Sequence, residues 1–266
     1  MKLVAFSQDD VAGRNMAEIL SSEFKLNQRI DVELVGFVPN FRTISSFDKF
    51  TPRVCIVASR HKAESGKPTL TCHATGNFGA AELGGEPKSL QSTNSLYLRK
   101  ALLALYSVRE KYSLDNFEVS LEVTHHGPTE LTFPLLYMEV GSTEEQWKNP
   151  DACRAVAEAI NYVVSEAPVD LPSAIGFGGP HYAPNFTEAV KDGSVAVGHM
   201  APKYAVENLD EKILELMIAK TEPTPTLALI DWKGLKGDEK QKVTGLLEGA
   251  GLPWAKTKQF KAGKTK

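Results

Sequence analysis

Histidines are the residues of this sequence whose chemistry and placement are most informative. All six lie in or beside short segments rich in Gly, Pro or Thr, and none lies in a predicted long helix. Imidazole has the unperturbed pKa nearest neutrality and is the commonest metal ligand in proteins. The histidines occupy five segments, around His61, His73, His125–His126, His181 and His199. Because functional groups concentrate in loops held by a rigid scaffold, we predict that these segments form one polar site.

Three of these segments follow the C-terminal ends of predicted strands. The alternating run 117–124 leads into His125 and His126, the run 173–178 leads into His181, and the run 194–198 leads into His199. In open α/β sheets, sites form beyond the carboxyl ends of strands, so parallel neighbours would bring the three segments together. Adjacent His125 and His126 would face opposite sides of an extended backbone, and a turn at Gly127–Pro128 could relax that limit.

The composition is that of an ordinary globular protein. The chain has 266 residues, of which 42% are hydrophobic and 24% charged, with a formal net charge of -3. This charge excludes a globally basic nucleic-acid coat but leaves room for a local basic patch. We predict a single α/β catalytic domain over residues 1–255 and a basic tail over 256–266, which carries five lysines and no acid.

Cysteine usage indicates a reduced, cytoplasmic protein. Cys55, Cys72 and Cys153 are widely spaced and odd in number, so they predict neither a disulfide framework nor a CxxC metal pair. A nucleophilic Cys72–His73 pair would require a bent loop, because adjacent residues on a strand face opposite sides. The apolar run at the N-terminus is too short for a secretory signal, and no stretch is long enough to span a membrane.

Hydrophobic periodicity predicts alternating strands and helices. A helix is expected over 11–22 after Asp9 or Asp10, another over 93–112, and a third that begins after Ser142 or Thr143 and ends near Glu166. Further strands are predicted at 3–6, 32–38, 54–59, 134–140 and 226–230, and further helices at 209–219 and 240–248. Residues 60–90 are predicted to form a long functional loop. The order of elements indicates a three-layer α/β/α fold with a mixed central sheet.

Three of the histidine segments resemble a known family. Thr-His-His-Gly-Pro-Thr-Glu at 124–130, Gly-Gly-Pro-His-Tyr-Ala-Pro at 178–184 and Gly-His-Met-Ala-Pro-Lys-Tyr at 198–204 resemble the archaeal and plant type of D-aminoacyl-tRNA deacylase. The opening segment 4–17 and Asp-Trp-Lys-Gly-Leu at 231–235 are similar to the same family, so the likeness spans most of the chain. The resemblance implies an esterase that releases a D-amino acid from the terminal ribose of tRNA. It also implies a fold similar to that of phosphorylases and peptidyl-tRNA hydrolases, and an association with zinc.

That reaction suggests roles for the matching residues. Zn²⁺ could activate a water and polarise the ester carbonyl, and catalytic zinc usually keeps three protein ligands and an open position. We predict His125, His181 and His199 as the metal ligands, and His125, His126, His199 and Glu130 as catalytic residues. A metal-free route remains open, in which an imidazole base activates water and loop amides form an oxyanion hole.

The remaining predicted roles concern the substrate. We expect five residues to bind the substrate: Gly178, Gly179, Pro180, Lys203 and His73. Further cations that could contact the tRNA backbone are Arg14, Arg60, Lys62 and Lys88. A wall of loop backbone with Pro180, Pro184 or Pro202 could exclude L-amino acids. The predicted partner is the 3′ end of aminoacylated tRNA, with no membrane association and a monomeric state.

Two other functions fit the sequence less closely. One is a metal-dependent amidohydrolase or peptidase of similar fold, and the other is a non-catalytic RNA-binding module whose histidines are structural. A hydrolase would lose activity but not folding when His125 or His199 is replaced. A binding module would instead depend on Lys203 and the lysine-rich tail. Whether His61 and His73 join the same site is left open.

Overall fold

The computed structural model describes residues 1–37 and 51–261. Val38, at the end of a predicted strand, and the last five residues of the predicted tail lie outside this range. The chain divides into two compact units, each assembled from separate segments. Unit 1 comprises Met1–His73, Lys100–Ser120 and Leu131–Pro168, and unit 2 comprises Ala74–Arg99, Leu121–Glu130 and the chain from Val169 onwards. The proposed domain boundary after residue 255 stays a prediction.

A six-stranded mixed sheet forms the centre of unit 1. Its strands are β1 (Lys2–Ser7), β2 (Val32–Phe37), β3 (Cys55–Lys62), β4 (Thr69–His73), β8 (Glu118–Leu121) and β9 (Leu135–Ser142). They lie in the order β2-β1-β3-β9-β4-β8. β1 runs parallel to β2 and β3, and β3 runs parallel to β9, whereas β4 is antiparallel to β9. β9 is buried along its whole length, as expected for a central strand covered on both faces.

Helices of unit 1 pack against this sheet. They are α1 (Val11–Ser22), α2 (Ser95–Lys111, in unit 1 from Lys100 onwards), α3 (Glu144–Trp147) and α4 (Pro150–Ser165). α1 contacts β3 and α4, and it buries Ala12, Met16 and Leu20 at the four-residue spacing of one helix face. A short 3₁₀ helix at Leu26–Gln28 precedes β2. Leu3, Val57, Leu135 and other buried residues form a hydrophobic cluster in the unit.

Unit 2 is built around a parallel four-stranded sheet. Its strands are β10 (Ser173–Phe177), β11 (Ala196–Ala201), β13 (Leu227–Ile230) and β14 (Trp254–Lys256), in the order β11-β10-β13-β14. Its helices are α5 (Pro184–Asp192), α6 (Glu211–Ala219) and α7 (Gly237–Gly249). Two small ribbons pair β5 (Gly76–Asn77) with β6 (Ser89–Leu90), and β7 (Thr93–Asn94) with β12 (Thr221–Glu222). Further 3₁₀ turns lie at Lys203–Asn208, Trp232–Gly234 and Thr257–Phe260.

The predicted fold class, a mixed α/β protein with a mixed central sheet flanked by helices, is confirmed. The long loop predicted over 60–90 is wrong, because β3 continues to Lys62 and Thr69–His73 pairs with β9. The single helix expected to end near Glu166 is two helices. Asn149 caps the second by accepting from the amide of Ala152, and Pro150 occupies its first turn.

Three histidines expected in loops lie in strands. His61 lies in β3, His73 ends β4, and His199 lies inside β11. Each strand continues through polar residues because their side chains find partners within the protein, which hydrophobic patterning alone does not register. Among the described residues, no helix is long and apolar enough to cross a membrane.

Asp10 tests how much one buried carboxylate contributes to unit 1. Its Oδ1 accepts from the amide of Gly13 (3.0 Å) as the cap of α1, and its Oδ2 accepts from the amide of Arg60 (2.8 Å). Asp10→Ala loses the cap and leaves a buried amide without that partner, so we expect the free energy of unfolding to fall by about 2–3 kcal/mol. Urea denaturation measures this, with the exposed neighbour Asp9→Ala as the matched control. Equal stabilities of the two variants would contradict this role.

Candidate active site

A buried carboxylate between two histidines is the centre of the candidate site in unit 2. Oε2 of Glu122 lies 2.8 Å from Nε2 of His181 and 3.5 Å from Nε2 of His125. The side chain of Glu122 is fully buried, whereas the side chains of His125 and His181 are 20% and 34% exposed. The carboxylate is therefore shielded from water while both imidazoles reach it.

His125 is oriented by backbone contacts. Its Nδ1 lies 2.8 Å from the carbonyl of Val123, which can only accept a hydrogen bond, so Nδ1 carries a proton. The backbone of His125 forms a bridge with Thr75. Nε2 is therefore the nitrogen that faces Glu122 and can accept a proton or bind a metal. A backbone carbonyl on the other ring nitrogen is the usual arrangement for histidines that bind metals.

His126 lies on a turn rather than on an extended backbone. Its φ is 43°, in the left-handed region, and Gly76 donates to its carbonyl (2.8 Å). The turn brings the rings of His125 and His126 edge to face, with centroids 4.5 Å apart. Nδ1 of His126 donates to the carbonyl of Gly127 (2.6 Å). On an extended backbone these two adjacent side chains would face opposite sides. The turn at His126 instead brings their rings into contact.

His181 is carried by the glycine loop that follows β10. Gly178 and Gly179 have φ values of 93° and 82°, which few residues other than glycine adopt. A Cβ on Gly179 would lie 2.9 Å from Oδ2 of Asp231, so the loop fits closely against the turn at 231–234. The carbonyl of His181 accepts from the amide of Val123 (2.9 Å). This backbone contact joins the segment that carries Glu122 and His125 to the loop that carries His181.

The imidazoles open onto a cleft of about 360 Å³. Besides His125, His126 and His181 it is lined by Asn77, Phe78, Gly79, Glu82, Leu83, Thr124, Tyr204, Ala205 and Asn208, among others. Desolvation, together with the negative charge of Glu122, raises the pKa of Tyr204. Its phenol is therefore protonated at neutral pH. The cleft combines groups that accept a proton with one that can donate it.

His199, a predicted ligand and catalytic residue, occupies a different environment. Its side chain is buried in β11, where Nδ1 lies 3.1 Å from Oγ1 of Thr124 and Nε2 lies 2.9 Å from the carbonyl of Gln91. Both ring nitrogens thus contact protein groups. Thr124 in turn accepts from the amide of Met200 (3.0 Å), so His199 braces the segment that carries His125. Its predicted chemical roles stay predictions.

The other predicted site residues, apart from His73, are spread over unit 2. Glu130 is exposed, and its Oε2 accepts from the amide of Thr129 (2.8 Å). Gly179, Pro180 and Lys203 line a second cleft of about 440 Å³, and Tyr204 lines both clefts. Gly178 lies beside this cleft in the same glycine loop.

Unit 1 contains a second group with the same side chains. Oε2 of Glu139 lies 3.6 Å from Nδ1 of His61 and 3.5 Å from Nε2 of His73, and all three side chains are buried. Burial alone would raise the pKa of Glu139, but hydrogen bonds from His61 and His73 outweigh it and hold that pKa below its usual range. His73 also stacks on Tyr137, with ring centroids 5.2 Å apart.

Sequence reasoning missed both carboxylates. Each left a signal, since Glu139 is the single acid in the apolar run 134–140 and Glu122 comes three residues before His125 at the end of an alternating strand. A buried carboxylate must be paired, and in both groups histidines are the partners.

The described residues of each unit thus include a buried carboxylate in contact with two imidazoles. Imidazole nitrogen and carboxylate oxygen are atoms that metal ions in proteins commonly bind. Histidine nitrogen and glutamate oxygen are ligands that suit zinc. The group around Glu122 has access to a cleft, which an active site of the hydrolase class requires.

Comparisons with known proteins identify the family. A family model for D-aminoacyl-tRNA deacylase matches residues 48–255. A D-aminoacyl-tRNA deacylase of Cenarchaeum symbiosum is 39% identical over 197 residues, covering 74% of this chain and 75% of that protein. One of Ignicoccus hospitalis is 34% identical over 249 residues, covering 94% and 96%. The crystal structure of AF0625, a conserved protein of unknown function, is 30% identical and matches with a TM-score of 0.90, covering 99% of this chain and 97% of that chain.

The chain belongs to the D-aminoacyl-tRNA deacylase family. The resemblance seen in the sequence motifs is confirmed over most of the chain.

The buried His199 makes a testable contribution to stability. Burial lowers its pKa to about 4, while an unfolded histidine titrates near 6.5. Between these values the unfolded state binds a proton that the folded state does not, so stability falls as the pH falls from 6.5 to 4, by about 3 kcal/mol. His199→Gln removes this titration while keeping an amide donor for Gln91. Between pH 6.5 and 4 we expect the variant to lose about 3 kcal/mol less of its free energy of unfolding than wild type does. Urea denaturation at several pH values measures this. Identical losses in both proteins would contradict the assignment.

Proposed function

We propose that this protein hydrolyses the ester bond of D-aminoacyl-tRNA and releases a free D-amino acid and tRNA. Family membership supports the reaction and its enzymatic nature. The observation that carries the assignment to a site is the contact of the buried Glu122 with His125 and His181 at the wall of a cleft. We also propose that the enzyme acts in the cytoplasm, where aminoacyl-tRNA is used in translation, and that it works as a monomer.

Glu122 orients the two imidazoles. Nε2 of His181 donates to the carboxylate at 2.8 Å, which leaves Nδ1 of His181 as a base that can take a proton from an attacking water. A carboxylate behind the imidazole orients it and stabilises its protonated form.

His125 adds a second constraint. Its Nδ1 is protonated towards Val123, so a neutral ring would point an Nε2 lone pair at the carboxylate oxygen 3.5 Å away. Two acceptors at that distance repel, and the contact is favourable only with a positive charge, either a proton or a metal ion, on Nε2. The pair is therefore built to hold positive charge at the cleft.

A zinc ion is the metal that this donor set fits. Glu122, His125 and His181 would hold it, and when bound it would supply Lewis acidity towards the ester carbonyl and an acidified water. Nδ1 of His181 would act as the base only in the alternative route without zinc. We propose Glu122 rather than His199 as the third ligand, because both ring nitrogens of His199 contact Thr124 and Gln91.

The leaving group and the rest of the substrate require further residues. Tyr204 lines the cleft with a protonated phenol and is positioned to protonate the departing ribose oxygen. We retain Gly178, Gly179, Pro180 and Lys203 as residues that contact the tRNA end, since three of them line the second cleft that Tyr204 borders. We also retain as proposals the exclusion of L-amino acids by Pro180 and substrate binding by His73. The catalytic roles of His126 and Glu130 are retained in the same way.

Chirality and metal dependence are tested together on the purified full chain. We expect release of the D-amino acid from D-Tyr-tRNA and no release from L-Tyr-tRNA. Because the donor set fits zinc, chelation should abolish the activity and added zinc should restore it. D-specific release that survives chelation would retain the reaction but assign it to the imidazoles without metal. No release from either tRNA would contradict the proposed function and favour the peptidase or RNA-binding alternatives.

The role of Glu122 is tested by Glu122→Gln, which keeps the shape but removes the charge. We expect kcat/KM for D-aminoacyl-tRNA to fall by about 10²–10³, because the imidazoles lose the group that orients and charges them. Glu86→Gln, an exposed acid of the same unit, is the matched control and should retain wild-type activity. Unfolding curves of both variants separate loss of chemistry from loss of fold. Should Glu130→Gln abolish activity while Glu122→Gln does not, the assignment would pass to Glu130.

A further inference from the structure

The second cleft of unit 2 shares Tyr204 with the candidate active-site cleft and is lined by lysines. Tyr204 lines both clefts, and the second is also lined by Lys203 and by Lys233 and Gly234 of the turn at 231–234. A Cβ on Gly234 would lie 2.8 Å from the amide nitrogen of Gly179, so the turn sits directly against the loop that carries His181. The catalytic loop and the lysine-bearing turn are thus packed together.

Two further lysines, Lys240 and Lys256, lie over the ring of Trp232 outside the lining of the cleft. The indole of Trp232 stacks on that of Trp254, with ring centroids 5.5 Å apart and planes 3° apart. The ammonium groups of Lys256 and Lys240 lie over the Trp232 ring, 4.3 and 5.1 Å from its centroid. Both indoles are half-buried against the hydrophobic core of unit 2. The Trp232 ring under the two ammonium groups is therefore held in place by packing.

In the part of the chain that the structure describes, the lysines of this surface have no acidic partner, in contrast to several lysines elsewhere on the protein. Lys67, Lys111 and Lys148 each form an ion pair with a glutamate. Within the described ranges, none of Lys203, Lys233, Lys240 and Lys256 forms a salt bridge. The acid of the second cleft, Glu239, accepts from the amide of Lys236 (2.6 Å) as the cap of α7, and Asp238 beside it is exposed.

A local excess of positive charge is informative in a chain whose net charge is -3, because the field of the whole protein does not attract a polyanion. The reacting ester is at the last ribose of a single strand, and every nucleotide before it carries a phosphate. That strand must leave the active-site cleft along some surface, and unpaired lysines beside the cleft provide one.

We infer that the second cleft and the Trp232–Lys240–Lys256 group bind the single-stranded 3′ end of tRNA. This inference rests on the proposed function. Lys203 and Lys233 contact the phosphates nearest the ester, and Lys240 and Lys256, held over the indole, contact those further from it. The surface fixes the register of the strand so that the terminal ester reaches His125 and His181.

The test is binding of uncharged tRNA to the full chain by fluorescence anisotropy at several salt concentrations. The triple variant Lys233→Ala, Lys240→Ala and Lys256→Ala should weaken binding at least 10-fold. It should also reduce the slope of log K against log salt by about 2, since each single-strand phosphate contact contributes about 0.7. The matched control Lys67→Ala, Lys148→Ala and Lys212→Ala changes the net charge equally and should bind within about twofold of wild type.

Kinetics and a shortened tRNA complete the experiment. In the triple variant the loss of kcat/KM for D-aminoacyl-tRNA should come mainly from KM. Removing the unpaired 3′ nucleotides from the tRNA should weaken binding to wild type and abolish the difference between wild type and triple variant. Equal losses in both triple variants, or an undiminished difference with the shortened tRNA, would overturn the inference. If wild type hydrolyses no D-aminoacyl-tRNA but the binding results hold, the proposed function fails and the RNA surface stands.

Discussion

The pairing of one buried carboxylate with two imidazoles constrains the architecture of unit 2. An ionised carboxylate fully removed from water is tolerated only when its partners replace that water, and removing a partner from such a group typically costs several kcal/mol. Glu122 meets this condition through His181 and His125, which come from segments far apart in sequence. Satisfying one charge therefore fixes the relative position of two loops. The backbone bond from Val123 to His181 holds the same two loops without depending on the charge.

Close backbone packing transmits that constraint to the surface. The loop of Gly178 and Gly179 approaches Asp231 and Gly234 at distances that leave no room for side chains. Asp231 is buried, caps its own turn and accepts from Asn185 (2.9 Å), so the turn is fixed by hydrogen bonds as well as by packing. The next residues in that turn are Trp232 and Lys233. The turn that packs against the loop of His181 thus also exposes Lys233 to solvent.

Sequence patterns predicted the elements well where one face is buried. The helix 11–22 and the strands near 3–6 and 227–230 follow from apolar periodicity, because that periodicity reflects which face meets the core. Patterns failed at Thr69–His73, whose polar residues suggested a loop although they pair with the central strand β9. They predicted one mixed sheet, whereas the strands form a six-stranded and a four-stranded sheet. The parallel arrangement considered for the strands before His181 and His199 is present in β10 and β11. Pairing between distant strands depends on partners that no local window contains.

The site was predictable to the extent that loop glycines and prolines marked His125 and His181. Glu122 was missed because an acid on an alternating strand is usually on the solvated face, and its burial depends on the distant His181. His199 was assigned a ligand role for its similar sequence context, yet a strand position and two protein partners distinguish it. The sequence around a histidine indicates that it is a candidate for catalysis or metal binding. The hydrogen-bond partners of its two ring nitrogens then determine whether either nitrogen can react.

The two carboxylate–imidazole groups differ in their exposure to solvent. Around Glu139 the side chains of His61, His73 and the acid are 7%, 0% and 4% exposed, whereas His181 beside Glu122 is 34% exposed and borders a cleft. A substrate as large as an aminoacyl ester needs an open approach, and a base must reach both water and carbonyl. The same donor set therefore has different consequences in the two places. At Glu139 the pairing stabilises a charge inside a sheet, and at Glu122 the paired imidazoles lie at the wall of a cleft.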